Sequence, residues 1–327
     1  MKAAGLPITR AAGRARSQNG ECLLLKLIDN PPQWPNGARC AVCFAFDLDA
    51  ESLLHLYYPE DSMRRITLSS ALRYGPRIAV PRLIRIWEHY GIKQTVYVPG
   101  WCVETYPQAV EQLAAAGHEI GHHGWLHERV NALDAGDEAT VLKAGIQAIE
   151  RITGKRPVGY RCPSGAFSPA TLDLLIDEGF AYDASLSGDD VPYLIRSDKG
   201  ALLELPSDHA LDDWPQYVNM RDFNHMLPIQ SPQQAMQVFR SEFDAAWANG
   251  GLWSSVWHPF VSGKPARAQA MVDLIEYMHA KGDVWFATME EIAAHVQGLV
   301  NSGEWKPREE KLPFWQQPVP QIVRPVR

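Results

Sequence analysis

Long apolar runs are missing from this sequence, and no uninterrupted stretch is long enough to span a bilayer. The N-terminus, MKAAGLPITRAAGRARSQNG, is basic but lacks the compact apolar segment of a secretory signal. A cytoplasmic location is the expectation, with no membrane partner. Positive charge is scarce as well. The 31 Lys and Arg against 38 Asp and Glu leave a formal charge of -7, whereas phosphate binding draws on a basic face. That argues against nucleic acid as the main partner. A paired-cysteine framework is also lacking, since the five cysteines are an odd number in a long chain. Cys40 and Cys43 do form a C-x-x-C. They sit in RCAVCFAFD, which reads as a strand, where residues three apart point to opposite faces. No second C-x-x-C completes a zinc site, so packed thiols are the reading. Finally, no G-x-G-x-x-G follows the first strand, which argues against a dinucleotide.

What is present is a repeated grammar: an amphipathic helix ends in Gly, and a short β-rich run follows. PRLIRIWEHYG leads into IKQTVYVPG, YPQAVEQLAAAG into HEIGHH, and EATVLKAGIQAIERITG through a short link into PVGYRCP. PATLDLLIDEG precedes FAYDASL, PQQAMQVFRSEFDAAWANG precedes GLWSSVWHP, and ARAQAMVDLIEYMHAKG precedes DVWFATM. With ARCAVCFAFD and ALLELPSD, about seven or eight strands alternate with helices, which predicts parallel pairing through crossovers and an α/β barrel. The expected boundaries are an N-terminal extension over 1–38, the barrel over 39–298 and a Pro-rich tail over 299–327. The tail WKPREEKLPFWQQPVPQIVRPVR carries no helical period and reads either as a wrap over a neighbouring surface, such as another subunit, or as disordered.

In such barrels the chemistry lies where strands end, and the reactive side chains fall there. Asp47 and Asp49 end the first strand, His123 and His127 follow HEIG, and Arg161 ends PVGYR. Asp183 ends FAYD, and His258 ends LWSSVWH. One carboxylate and two imidazoles make a metal site with room for water, and Asp49, His123 and His127 fit that description. The four-residue spacing puts both imidazoles on one side of a helical turn or across a tight loop. Asp47 shares a face with Asp49, and such a pair of like charges calls for a compensating cation, which a metal or Arg161 supplies. Among weaker candidates, Trp125 reads as a wall of the site, and His122 reads as supporting or solvated. Asp212, Asp213 and Trp214 read as a loop capping the pocket, and Glu51 as a weak candidate for touching substrate.

These residues resemble the polysaccharide deacetylases, also called the NodB-homology or carbohydrate esterase family 4 group. FAFDLD, HHGWLH, RCPSG, YDASLS and WHP resemble the family's motifs in order, and the likeness runs from about residue 39 to 298. The resemblance implies a distorted barrel and a metal, Zn²⁺ or another divalent transition metal, on Asp49, His123 and His127. It implies Asp47 as general base, Arg161 orienting it, and His258 as general acid held by Asp183. It places the backbone N–H of Ser164 against the oxyanion. D-L-D in place of adjacent aspartates, Cys162 and Ser164 in the third motif, and ELPSDHALDDWPQY look more like the branch with cyclic imide hydrolases, the Helicobacter-type peptidoglycan deacetylase and metal-free allantoinases. The metal-free members have lost the first-motif ligands, which this chain keeps.

The expected function is hydrolysis of a non-peptide C–N bond in a small cyclic imide or related amide. The alternative is N-deacetylation of an N-acetyl sugar or peptidoglycan, and from another class, a non-catalytic metal-binding or ligand-binding barrel. The branch implies a homo-oligomer, a tetramer. Ser164, Trp125, Asp213 and Trp214 are the residues expected to meet substrate.

Overall fold

The computed structural model describes residues 25–315 and Gln317. The basic N-terminal stretch before residue 25 and the end of the Pro-rich tail lie outside the described residues. The chain begins with β1 (Cys40–Cys43) and β2 (Phe46–Asp47). Helices α1 (Ser52–Tyr57) and α2 (Ile66–Leu72) precede α3 (Val80–Tyr90). Then come β3 (Thr95–Val98), α4 (Gly100–Thr105), α5 (Pro107–Ala115), β4 (Glu119–His122) and α6 (Ala135–Thr153). β5 (Gly159–Tyr160), α7 (Thr171–Asp177) and β6 (Tyr182–Asp183) continue the alternation. An antiparallel pair, β7 (Tyr193–Arg196) and β8 (Ala201–Glu204), interrupts it. After α8 (Trp214–Tyr217) comes a small hairpin of β9 (Asn219–Met220) and β10 (His225–Met226). α9 (Pro232–Asn249), β11 (Leu252–Ser254), α10 (Pro259–Ser262), α11 (Pro265–Lys281), β12 (Val284–Phe286), α12 (Met289–Ser302) and β13 (Glu309–Lys311) complete the course.

Two sheets form a mixed α/β fold. The order of the larger is β13-β7-β8-β6-β5-β4-β3-β2, parallel except between β7 and β8. The smaller is β11-β1-β12, all parallel. They meet in the extended segment that holds both β1 and β2. Phe46 bridges to Trp257 beyond β11, and Asp212 bridges to Val256. These bridges close the wall through single contacts rather than full ladders, so the barrel is distorted. β13, within the tail, adds to the sheet edge beside β7.

The residues explain this arrangement. Cys40 through Phe46 are fully buried, as a strand covered on both faces must be. Alternate residues part company: Cys40, Val42, Phe44 and Phe46 pack with Trp87, Trp253 and Trp257 beneath the helices. Ala41, Cys43 and Ala45 pack with Tyr97, Tyr182 and Leu203. The opposed faces of Cys40 and Cys43 follow from the two-residue period, and both thiols are free and buried. On α3 the buried residues are Val80, Leu83, Ile84 and Trp87, the spacing of one helical face. Gly91 ends it at φ 64°, a conformation costly for any residue with a Cβ. α9 and α12 start with capping boxes, Ser231 with Gln234 and Thr288 with Glu291. No helix among the described residues is long and apolar enough to cross a membrane.

Candidate active site

The C-terminal ends of the parallel strands bring the polar residues together. Asp47 closes β2 and continues the inward row of Ala41, Cys43 and Ala45, with Asp49 two residues on. His123 follows β4, Arg161 follows β5, and His258 lies beyond β11 at the start of α10. His127 sits in a loop at φ 62°, so the imidazole pair spans a tight loop, the second of the two spacings the sequence allowed.

Asp49 is the hub. Its Oδ1 lies 3.5 Å from His123 Nε2, and its Oδ2 lies 3.7 Å from His127 Nε2 and 3.5 Å from His258 Nε2. One donor atom each from Asp49, His123 and His127 falls within 4.8 Å of the others, and all three residues are buried. The donors suit a divalent transition metal on several counts. Asp49 Oδ1 is buried with no hydrogen-bond partner among the described residues, a costly state that a cation would relieve. His123 Nδ1 pairs with the carbonyl of Arg161 at 2.6 Å, which makes that nitrogen the donor and leaves Nε2 a free lone pair. Burial holds both imidazoles in the neutral, ligating form, with His127 lowered to about 4. Burial also lifts the Asp49 carboxyl, and the nearby charge of Asp47 adds to that.

Asp47 is set differently. Burial works against its charge, but the Arg161 guanidinium, with His123 and His258, holds its carboxyl below the usual carboxylate range. Arg161 Nη1 donates to Asp47 Oδ1 at 2.8 Å and Nε to the Ala184 carbonyl at 3.1 Å, and the guanidinium lies 4.3 Å from the Tyr97 ring centroid. The free oxygen of Asp47 faces His123 Nε2 at 3.8 Å.

His258 carries the reverse setting. Burial opposes its charge, but Asp213, then Asp49 and Asp212, outweigh it and push its pKa up to about 10. Asp213 accepts three bonds: from His258 Nδ1 at 2.7 Å, from the His258 backbone N–H at 3.0 Å and from the Ser262 hydroxyl at 2.5 Å. The partner expected for His258 was Asp183. The structure instead pairs Asp183 with the hydroxyl of Ser185 at 2.6 Å, next to Glu204, whose carboxylate takes the N–H groups of Ser185 and Leu186. Those two carboxyls hold the loop whose Ala184 carbonyl anchors Arg161, one step behind the site. Asp213 is fully buried and does not line the cavity, so it supports His258 rather than meeting substrate. Its strand-end rival misled the sequence reading because Asp213 lies in a loop. The Asp212–Val256 bridge, with the Asp213 N–H on the Val256 carbonyl at 3.2 Å, places it beside His258.

The cavity above Asp49 measures about 290 Å³. Asp47, His123, His127, Arg161 and His258 line one side, and Ser164, Ser185, Ser207, His209 and Asp212 line another. Leu53, Tyr57, Trp214 and Phe223 supply its apolar wall. Trp214 stands 5.3 Å from the His258 ring and 5.9 Å from Phe223, which in turn lies 5.5 Å from Tyr57. Tyr57 and Phe223 escaped the sequence reading, since neither carries a motif. Ser164 lies in the wall at φ 54°. Trp125 does not line the cavity. Its ring packs over Gly100, behind the ligand loop, so it is no wall of the site. His122 is also behind, with Nε2 on the Leu142 carbonyl at 3.0 Å. Glu51 is buried against Ser69 and Tyr106.

The family model for polysaccharide deacetylase matches residues 69–182. A peptidoglycan deacetylase of Helicobacter pylori is 30% identical over 279 residues, covering 77% of this chain and 94% of its own length. A solved structure from Mycobacterium smegmatis, assigned to the polysaccharide deacetylases, superposes with a TM-score of 0.81 at 38% identity, over 91% of this chain and 100% of that one. The Puue allantoinase shares the fold, with a TM-score of 0.72 at 24% identity over 83% and 95% of the two chains. Sequence likeness over nearly the whole of a curated relative, on a matching fold, makes this chain a member of the polysaccharide deacetylase family, hydrolases that act on C–N amide bonds.

Proposed function

We propose that the chain is a metal-dependent hydrolase of a non-peptide C–N bond, acting on a small cyclic imide or related amide. The observation that carries the reading is the placement of Asp47 and His258, oppositely biased in charge, with Asp49 in one cavity of about 290 Å³. That volume is at the small end for a ligand pocket. Asp49, His123 and His127 would hold the metal, Zn²⁺ or another divalent transition ion. When bound, the metal supplies Lewis acidity that polarises the carbonyl and lowers the pKa of water toward ~7.

The rest falls to the chain itself. Asp47, kept ionised by Arg161, takes a proton from the attacking water through its free oxygen. The water oxygen bonds to the amide carbon. The backbone N–H of Ser164 meets the developing oxyanion, an assignment that rests on the motif resemblance and on its place in the cavity wall. His258, charged through Asp213, gives a proton to the leaving nitrogen as the C–N bond breaks. Trp214, Phe223 and Tyr57 offer an apolar wall against which a small substrate would shed water.

The second reading is N-deacetylation of an N-acetyl sugar or peptidoglycan, favoured by the likeness to the Helicobacter pylori enzyme. Ring opening of succinimide and glutarimide, measured beside acetate release from chitooligosaccharides, decides between them. Imide turnover without acetate supports the first reading, and the converse supports the second. Activity lost on chelation and restored by Zn²⁺ tests the metal. A ligand complex without turnover on either substrate would leave a non-catalytic barrel. The same reading places the enzyme in the cytoplasm, in keeping with free thiols at Cys40, Cys43, Cys102 and Cys162. It also makes the enzyme a tetramer, which light scattering would check.

A further inference from the structure

The loop that carries His123 and His127 is braced from within. One oxygen of Glu128, Oε2, accepts the N–H of Trp125 at 3.0 Å and the N–H of Leu126 at 2.9 Å. Those residues lie between the two imidazoles. Three further backbone groups of the loop are engaged. The Gly124 N–H donates to His122 Nδ1 at 3.1 Å, and the carbonyls of Gly124 and Trp125 accept from Gly100 and Trp101 at 3.0 and 2.9 Å. At Gly124, where φ is +73°, a Cβ would lie 3.2 Å from Glu128 Oε2 and 3.0 Å from Pro163 Cγ. Glycine there gives the carboxylate its room. His127 has a left-handed backbone, which a residue with a Cβ keeps only where its surroundings hold it. Glu128 does not line the cavity.

From these contacts we infer that Glu128 is a positioning residue for the metal ligands: its two accepted bonds set the loop that aims the Nε2 atoms of His123 and His127 at Asp49. The inference rests on the proposal that these three residues hold a divalent metal. Its content is geometric. A loop already shaped for the cation need not be ordered when the cation binds, and losing such an outer contact weakens a metal site. The reach of the carboxylate matters here, and its charge does not.

The full chain, stripped of metal, is titrated with Zn²⁺ in competition with a chelating indicator, as wild type, Glu128→Gln, Glu128→Asp and Glu128→Ala. The melting temperature of each metal-free protein is recorded alongside. Gln keeps an acceptor oxygen at the same reach without the charge. Asp keeps the charge one methylene short. The expected order puts Glu128→Gln close to wild type, with Glu128→Asp and Glu128→Ala weaker by roughly 10- to 100-fold and metal-free melting unchanged between Gln and Asp. The opposite order, with Asp tight and Gln weak, overturns the inference in favour of charge. So do variants that all bind as wild type, or losses that simply track a fall in metal-free melting. Should Glu128→Ala fail to fold, the order of Gln and Asp still decides. Failure of the wild type itself to bind Zn²⁺ would instead strike down the metal reading on which the inference rests.

Discussion

Asp47 and Asp49 are two residues apart, on one face, and yet their settings differ. Arg161 donates to Asp47, while Asp49 has an oxygen without a hydrogen-bond partner among the described residues. Asp47→Asn should therefore cut turnover by about 10³-fold at saturating metal, the scale of a lost general base, while Zn²⁺ affinity changes little. Asp47→Ala should also weaken folding by about 3–5 kcal/mol, because it strands the Arg161 charge in the interior. Turnover measured beside urea unfolding separates the two effects. His258 makes a complementary test. Its charge is favoured by Asp213 first among its neighbours. An acid must be protonated to act, so activity should fall as pH rises through its pKa. Asp213→Asn should move that alkaline limb to lower pH in the profile of kcat/KM, and leave in place the acid limb set by Asp47. An alkaline limb that does not move would sink the pairing.

At the scale of elements, the ligand loop is pressed between α4 and α6. A Cβ on Gly145, in α6, would clash with His122 Nε2 and come 2.9 Å from the Gly124 carbonyl. Alanine is the better helix former by about 1 kcal/mol, yet overpacking of this kind costs about 1–3 kcal/mol. Gly145→Ala should thus destabilise the protein in urea unfolding and weaken metal binding, the reverse of what propensity alone predicts. Most elements are legible in the sequence. Amphipathic helices ending at Gly91, Gly154 and Gly250 announce themselves locally, because the apolar stripe and the left-handed closing residue are both short-range patterns. The antiparallel return of β7, the hairpin β9–β10 and the tail strand β13 were not legible. Each is only two to four residues long, and pairing, not composition, makes it a strand.

For the molecule as a whole, stability should depend on pH through buried histidines outside the site. Burial, with Lys93 nearby, lowers His118 to about 4. The unfolded chain takes up that proton below about 6.5, whereas the folded chain refuses it down to about 4. Its contribution is therefore complete above the unfolded pKa and lost as pH falls toward the folded one. His118→Phe should flatten the dependence of unfolding free energy on pH by up to about 1.4 kcal/mol per pH unit in that window. An unchanged slope in urea titrations at several pH values would refute it. Metal should add to stability too. At 100 times its dissociation constant a ligand bound only to the folded state contributes about 2.7 kcal/mol, an increment that Asp49→Ala should abolish. The alternation of helix and parallel strand, the packing of the Cys40 and Cys43 thiols, and the gathering of Asp47, Asp49, His123, Arg161 and His258 at strand ends were legible in the residue order alone. All of these follow from periodicity and from the rule that parallel strands point one way. Folding in three dimensions was needed to show that Asp213 rather than Asp183 holds His258, that Trp125 stands behind the loop, and that Tyr57 and Phe223 line the cavity. Those choices join side chains far apart along the chain, 45 residues for Asp213 and His258, and which carboxylate comes within bonding distance depends on how separate segments pack in space.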